Sequence, residues 1–251
     1  MKFESAIRIL VSRIFKLQNN AATSFSYDNY LLAEVVTKKT ELYIAQRNAK
    51  NFPNSNYLAL IAAMKTDVSI SNIIDFGGAA GIHFQLVKYL FPNLNSWNVV
   101  ETKAMVEVNK RQSDPILRFY TLEQGEELKI NCDLLYSSSS LQYTNNPIET
   151  FKRLISFNPK HILISRTPFS NVKEEKKFTQ YSSLSQNGPG PLPAPYVDSK
   201  VSYEVNIPIL SDVMEVLSEK FEIQWITKEN EVLKDPHGNP YAYLSIFATR
   251  K

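Results

Sequence analysis

The stretch that most constrains this chain is Asn72-Ile73-Ile74-Asp75-Phe76-Gly77-Gly78-Ala79-Ala80-Gly81, followed by His83-Phe84-Gln85-Leu86-Val87-Lys88-Tyr89-Leu90. It reads as a short buried strand with a carboxylate near its end, a turn of small residues, then an amphipathic helix. The chain holds only seven glycines in 251 residues, and three of them sit in this turn. A turn this free of side chains lets another group approach the backbone closely. The following helix directs its free N–H groups at whatever lies in the turn. That is the layout of a nucleotide-type cofactor site at the first strand–helix crossover of an α/β sheet.

The segments around it carry the same pattern forward. From Ser69 onward strands alternate with helices: Ile70–Phe76, Trp97–Glu101, Ile116–Tyr120, Cys132–Tyr136 and His161–Ser165 read as strands. Asn146-Pro147-Ile148-Glu149 is a helix start, with Asn as cap, Pro in the first turn and Glu reaching back. This succession predicts a parallel sheet with helices on both faces. A helix over Ile209–Lys220 and strands over Phe221–Thr227 and Tyr241–Thr249 close the chain, the last two as an antiparallel edge pair. Residues 1–68 read as helical throughout, a cover preceding an α/β domain over 69–251. Helices are expected from about Asn29 to Lys50 and from Tyr57 to Lys65, separated by a turn at 51–56.

Residues 169–206 break the alternation. The run Gly188-Pro189-Gly190-Pro191-Leu192-Pro193-Ala194-Pro195 excludes helix or central strand. A loop this long is usually functional or disordered. The aromatics Phe169, Phe178, Tyr181, Tyr196 and Tyr203 favour a lid ordered over a substrate.

Composition bounds the partners. A net charge of +3 is too mild for a nucleic-acid footprint. A single cysteine, Cys132, excludes an internal disulfide and fits a reducing, cytoplasmic setting. No apolar run approaches the roughly 18 residues of a spanning helix. Residues 1–18 place Phe3, Ile7, Leu10, Val11, Ile14 and Phe15 at helical spacing among Lys2, Arg8, Arg13 and Lys16. That pattern suits a helix packed on the domain, or a basic amphipathic helix making peripheral membrane contact. Oligomeric state is not legible.

The spacing of the turn discriminates between cofactors. A dinucleotide fingerprint, G-x-G-x-x-G, started at Gly77 needs glycine at 79 and 82, where Ala79 and Ile82 stand. The pattern acid-x-G-x-G-x-G fits better: Asp75, Gly77 and Gly81 match, and Ala79 alone replaces a glycine. On Asp75–Gly81, Glu101 and Asp133-Leu134-Leu135-Tyr136-Ser137-Ser138-Ser139-Ser140-Leu141-Gln142-Tyr143, the chain resembles the class I S-adenosylmethionine (SAM)-dependent methyltransferases. More narrowly, Asp75-Phe76-Gly77-Gly78, the Ser-Leu-Gln-Tyr ending at Tyr143, and Ser165-Arg166-Thr167-Pro168 resemble a methyltransferase family associated with bacterial surface-polysaccharide gene clusters.

The resemblance implies a Rossmann-like fold with a mostly parallel seven-stranded sheet and an antiparallel edge pair. It implies SAM as cofactor and a small-molecule or saccharide acceptor methylated on oxygen or nitrogen; for a metal, the three scattered histidines and one cysteine offer no ligand cluster. Gly77, Gly78, Ala79 and Gly81 would admit the methionine end. Asp75 would hold the turn and, directly or through water, the ammonium. Glu101 would take both ribose hydroxyls. Adenine would lie near Thr121, with Glu123 the nearest acid, and Ser138 and Ser139 beside the methionine end.

Methyl transfer from a sulfonium is an in-line displacement, so alignment carries much of the rate and a base is needed only if the acceptor must lose a proton. His83, Tyr143 and Arg166 are the catalytic candidates, Arg166 suiting a phosphate or carboxylate on the acceptor. His161, His237 and Cys132 read as structural or solvated. Two rivals remain: an NAD-linked oxidoreductase or epimerase, for which Glu101 is equally suited, and a non-catalytic methyltransferase-like binding module.

Overall fold

The computed structural model describes residues 27–46, 57–111, 114–172, 176–229, 232–236, 238 and 240–251. The expected helix over 1–18, the turn at 51–56, His237 and residues 173–175 of the 169–206 segment lie outside them.

Among the described residues two helices precede the sheet, α1 (Tyr30–Gln46) and α2 (Leu58–Thr66). The sheet domain then runs β1 (Asn72–Phe76), α3 (Ile82–Val87), β2 (Ser96–Val100), α4 (Lys103–Asn109), β3 (Leu117–Tyr120), α5 (Leu122–Leu128), β4 (Leu134–Ser138), α6 (Pro147–Ile155) and β5 (His161–Ser170). A ribbon follows, β6 (Lys176–Ser183) and β7 (Lys200–Ile207), then α7 (Leu210–Ser218), β8 (Phe221–Lys228), the two-residue β9 (Leu233–Lys234) and β10 (Pro240–Arg250).

The strand order is β3-β2-β1-β4-β5-β10-β8, with β9 attached to β10. The first five strands are mutually parallel, and β10 is antiparallel to both β5 and β8. The expected seven-stranded, mostly parallel sheet with an antiparallel edge is present, with β9 as an eighth strand. Burial on both faces explains the unbroken apolar character of its centre, as in Leu134 and Leu135 of β4. One face packs Trp97, Leu134, Tyr136, Leu163 and Phe247 beneath α2 and α3. The other packs Ile74, Leu135 and Ile162 against Phe151, Leu154, Val213 and Leu217 of α6 and α7. A third cluster joins α1 to α4 and the ribbon through Val35, Val36, Ala104, Met105 and Leu184.

Three local readings are corrected. The fourth strand starts at Leu134, two residues beyond Cys132, because Asp133 is spent below the sheet. Its carboxylate accepts from the N–H groups of Ser71 and Asn72 and pairs with Lys160 at 2.8 Å. Thr121 opens a helix that periodicity did not reveal; its hydroxyl accepts from Gln124 N–H while the Gln124 side chain accepts from Thr121 N–H. The T-x-x-Q spacing of a capping box was the available signal. Finally, the 169–206 segment is not loop throughout: Lys176–Ser183 and Lys200–Ile207 pair antiparallel apart from the main sheet, and the Pro-Gly run only links them.

Candidate functional site

The carboxyl ends of β1, β2, β4 and β5 converge at one edge, where an open α/β sheet receives ligands. At the end of β1, Asp75 is 0% exposed. Its carboxylate accepts from Trp97 Nε1 at 2.9 Å and meets His83 Nδ1 at 3.0 Å. Asp75 therefore ties β1 to β2 and to the first turn of α3 from the inside. His83 is buried too, with its ring edge-on to Tyr57 and Tyr136. The catalytic candidate His83 is thus turned inward against Asp75, because a buried carboxylate draws the imidazole toward it.

The glycine turn is explained by contacts within the chain. Gly77 has φ +71, and a Cβ there would stand 2.2 Å from Ser140 Cβ. A Cβ on Gly78 would stand 2.3 Å from Asp75 Oδ2, and one on Gly81 2.8 Å from Leu117. Ala79 also has positive φ, 49°. The side-chain-free turn is therefore needed so that β1, β3 and the segment after β4 can close on one another.

Glu101, just past β2, spans the mouth of this turn. One carboxylate oxygen accepts from Ala79 N–H at 3.1 Å and the other from Thr102 N–H at 2.7 Å. Burial pushes its carboxyl up, more than these two N–H bonds pull it down; Asp75 and Asp28 add to the rise. Each oxygen keeps a second acceptor position, which suits a vicinal diol. Asp28, ahead of α1, accepts from Ala104 N–H at 2.7 Å and brings the helical segment to the same rim.

Beyond β4 the chain turns sharply at Ser139, φ +54. The Gln142 amide donates to Ser139 Oγ at 3.1 Å, and its own buried Oε1 has no partner among the described residues. On β5, Ser165 and Arg166 oppose the single Ser245 of β10, a bulge that puts Arg166 at φ +48. Bulges re-aim side chains; here Arg166 Nε donates to Ser138 Oγ at 3.0 Å. Its backbone N–H donates to Glu229 Oε1 at 3.1 Å. The structure thus brings Ser138, Ser139 and Arg166 together, beside Gly77 and Ser140.

Tyr143 lies deeper than a free acceptor-orienting group would. Its ring contacts Tyr27 and Tyr203, with centroids 4.5 and 5.4 Å away, and its hydroxyl donates to Gln180. Burial, with Tyr203 beside it, pushes its phenol up to about 12. Three segments distant in sequence close over β4 through these tyrosines. Lys39 adds a second tie: it is 1% exposed and donates to the carbonyls of Ser185 and Asn187 at 2.6 Å each. Burial pushes its ammonium down and Asp198 pulls it partly back. No sequence signal separates Lys39 from Lys38, which pairs with Glu41 on the surface.

Other candidates are occupied elsewhere. Thr121 is committed to its capping box, and Glu123 faces solvent beside Arg153. His161 bridges Thr249 and Asp67 below the sheet. Cys132 is buried, which pushes its thiol up. Among the described residues no cluster of His, Cys, Asp and Glu is arranged to hold a metal, and no helix is long and apolar enough to cross a membrane.

Solved structures share this fold. The N-terminal domain of EvdMO1, crystallised with SAH (S-adenosylhomocysteine) bound, matches with a TM-score of 0.53 over 80% of this chain and 83% of that chain, at 9% identity. The sugar N-methyltransferase KedS8 from Streptoalloteichus sp ATCC 53650 matches with a TM-score of 0.51 over 84% and 92%, at 13% identity. The chain has the Rossmann-like methyltransferase fold. No family model matches it, and no curated protein matches it in sequence.

Proposed function

We propose that this chain is a SAM-dependent methyltransferase whose acceptor is a small molecule or saccharide intermediate, with a role in surface-polysaccharide synthesis as the narrower reading. The observation that carries it is Glu101 at the end of β2, held to the glycine turn through Ala79 N–H with acceptor positions to spare. Those positions would hold the ribose diol, and the Gly77–Ala80 turn with Ser138 and Ser139 would line the methionine end. Bound there, SAM supplies an activated methyl group. The protein's part is to orient the acceptor and to exclude water, for which the Tyr27–Tyr143–Tyr203 contact and the ribbon are placed. Asp75 acts on the turn from within rather than as a direct partner of the ammonium, since its oxygens face Trp97, His83 and Gly78. Residues 1–68 act as a cover, and peripheral membrane contact through residues 1–18 remains part of the proposal.

The strand order weighs against an NAD-linked enzyme. Dinucleotide folds order six parallel strands 3-2-1-4-5-6, whereas here the last strand, β10, inserts antiparallel between β5 and β8. The test is calorimetric titration of SAH against wild type and Glu101→Ala. Loss of two charge-assisted hydrogen bonds should weaken binding by about 3–6 kcal/mol. No SAH binding to wild type at millimolar ligand, or a thermal shift with NAD alone, refutes the reading.

A further inference from the structure

Beside the strand ends lies a groove that the cofactor reading leaves unused. It has a volume of about 510 Å³ and runs between α2 and the β8–β10 edge, within the range of small-ligand pockets. One wall is apolar and low, made by Leu58, Ala59 and Ala62. The floor is Trp225, Thr227 and Ser245, with Glu229 at the end. Trp225, Thr227 and Glu229 alternate along one strand direction, so they share a face; Ser245 pairs with Thr227 across the ladder.

These floor groups are rigid yet chemically unspent. Trp225 stacks on Phe247 at 5.4 Å, which stacks on His161 at 5.8 Å. Glu229 is fixed by its N–H to Tyr243 O and by accepting from Ser245 Oγ and Arg166 N–H on one oxygen. Among the described residues no partner takes its Oε2, the Trp225 indole N–H or the Thr227 hydroxyl. A flat ring face is therefore followed by a donor, a hydroxyl and a carboxylate acceptor in line.

We propose that this groove is a subsite for a pyranose ring of the acceptor. An aromatic plate suits the apolar face of such a ring, and the row of donor, hydroxyl and carboxylate suits its equatorial hydroxyls. The alternatives fit less well: a purely apolar ligand would leave Glu229 and the indole N–H unsatisfied. A phosphate or carboxylate would be repelled by Glu229. The groove joins the candidate site directly, because Glu229 bonds Arg166 N–H and Arg166 bonds Ser138. The proposal extends the methyltransferase reading by placing the sugar, but the groove's ligand is tested independently of the cofactor.

The chain has two tryptophans, and Trp97 is 0% exposed, so a sugar entering the groove reports through Trp225. Intrinsic fluorescence of the full chain is followed on titration with D-glucose, D-glucosamine and D-glucuronate, with glycerol as a polyol lacking a ring. A saturable change with at least one neutral or amino sugar is expected, absent with glycerol. Ala62→Leu, at an exposed position on the wall, should abolish it without disturbing the core. Glu229→Gln should weaken it by about tenfold, the scale of one charge-assisted hydrogen bond. No saturable response to any pyranose, a response equal to glycerol's, preference for the uronate, or an unchanged response in Ala62→Leu overturns the proposal. SAH affinity is measured on the same samples: SAH binding without a sugar response rejects the subsite alone, and a sugar response without SAH binding rejects the methyltransferase reading alone.

Discussion

Gly77→Ala is the sharpest test of how the turn is built. Two costs combine. At φ +71 an L-residue pays about 1–2 kcal/mol for the left-handed conformation. The new Cβ would also stand 2.2 Å from both Cβ and Oγ of Ser140, well inside the ~3.5–4.0 Å of ordinary contact. Ser140 Cβ is one bond from the backbone and cannot rotate away, so strand ends must part, at about 1–3 kcal/mol. The bonds from Ser140 Oγ to the carbonyls of Gly77 and Ser138 would be disturbed as well.

The expected loss is about 2–5 kcal/mol. Ser140→Gly removes both clashing atoms and leaves Ser140 Cα at 3.6 Å, an ordinary contact. The double mutant should therefore recover the steric part and keep only the backbone part. Urea unfolding of the four proteins, followed by far-ultraviolet circular dichroism, gives the coupling directly. A favourable coupling of about 1–3 kcal/mol is expected, well above the ~0.3–0.5 kcal/mol of independent sites. A coupling near zero refutes the packing argument. A stable Gly77→Ala that merely loses SAH would show instead that glycine is kept for the ligand.

Three further outcomes follow from the geometry. Asp133 feels burial, which pushes its carboxyl up, but the Lys160 pair and the bonds from Asn72 and Ser71 prevail and hold it at about 2 against an ordinary 3.8. A depressed carboxyl stabilises the fold above its unfolded value; here about 2 kcal/mol is present above pH 3.8 and lost as pH falls through 2, so Asp133→Asn should flatten that part of the acid-unfolding curve. Lys39→Met strands the carbonyls of Ser185 and Asn187 and should cost about 2–4 kcal/mol, with limited proteolysis appearing first within 184–200; unchanged resistance would count against the tie. Because the Glu101 carboxyl is raised, wild-type SAH affinity should begin to fall on acidification at a pH above its ordinary 4.5, and the Glu101→Gln variant should show no such limb.

Most of the sheet was legible from local chemistry. Apolar runs such as Ile73-Ile74 and Leu134-Leu135 carry the period of buried strands, and Asn146-Pro147 marks a helix start wherever the chain goes. Ser165–Arg166 shows why other features were hidden. Nothing in its own neighbourhood specifies a bulge, which arises because the single Ser245 opposes two residues. The ribbon was obscured differently: its proline-rich link dominated the local reading, while the pairing of residues 176–183 with 200–207 depends on partners 17 to 31 residues apart.

By itself, the amino-acid sequence determined the alternation of strands and helices, the side-chain-free turn after β1 and the acid at the end of β2, because each rests on neighbours within a few residues. Tertiary structure alone decided what those residues touch. It turned Asp75 inward to Trp97 and His83, set Ser140 against Gly77, buried Lys39 while leaving Lys38 in solvent, and lined Trp225 and Glu229 along one groove. Those outcomes depend on which distant segments meet. Contact and desolvation energies act only over a few ångströms, so they come into play only once the strands have found their order.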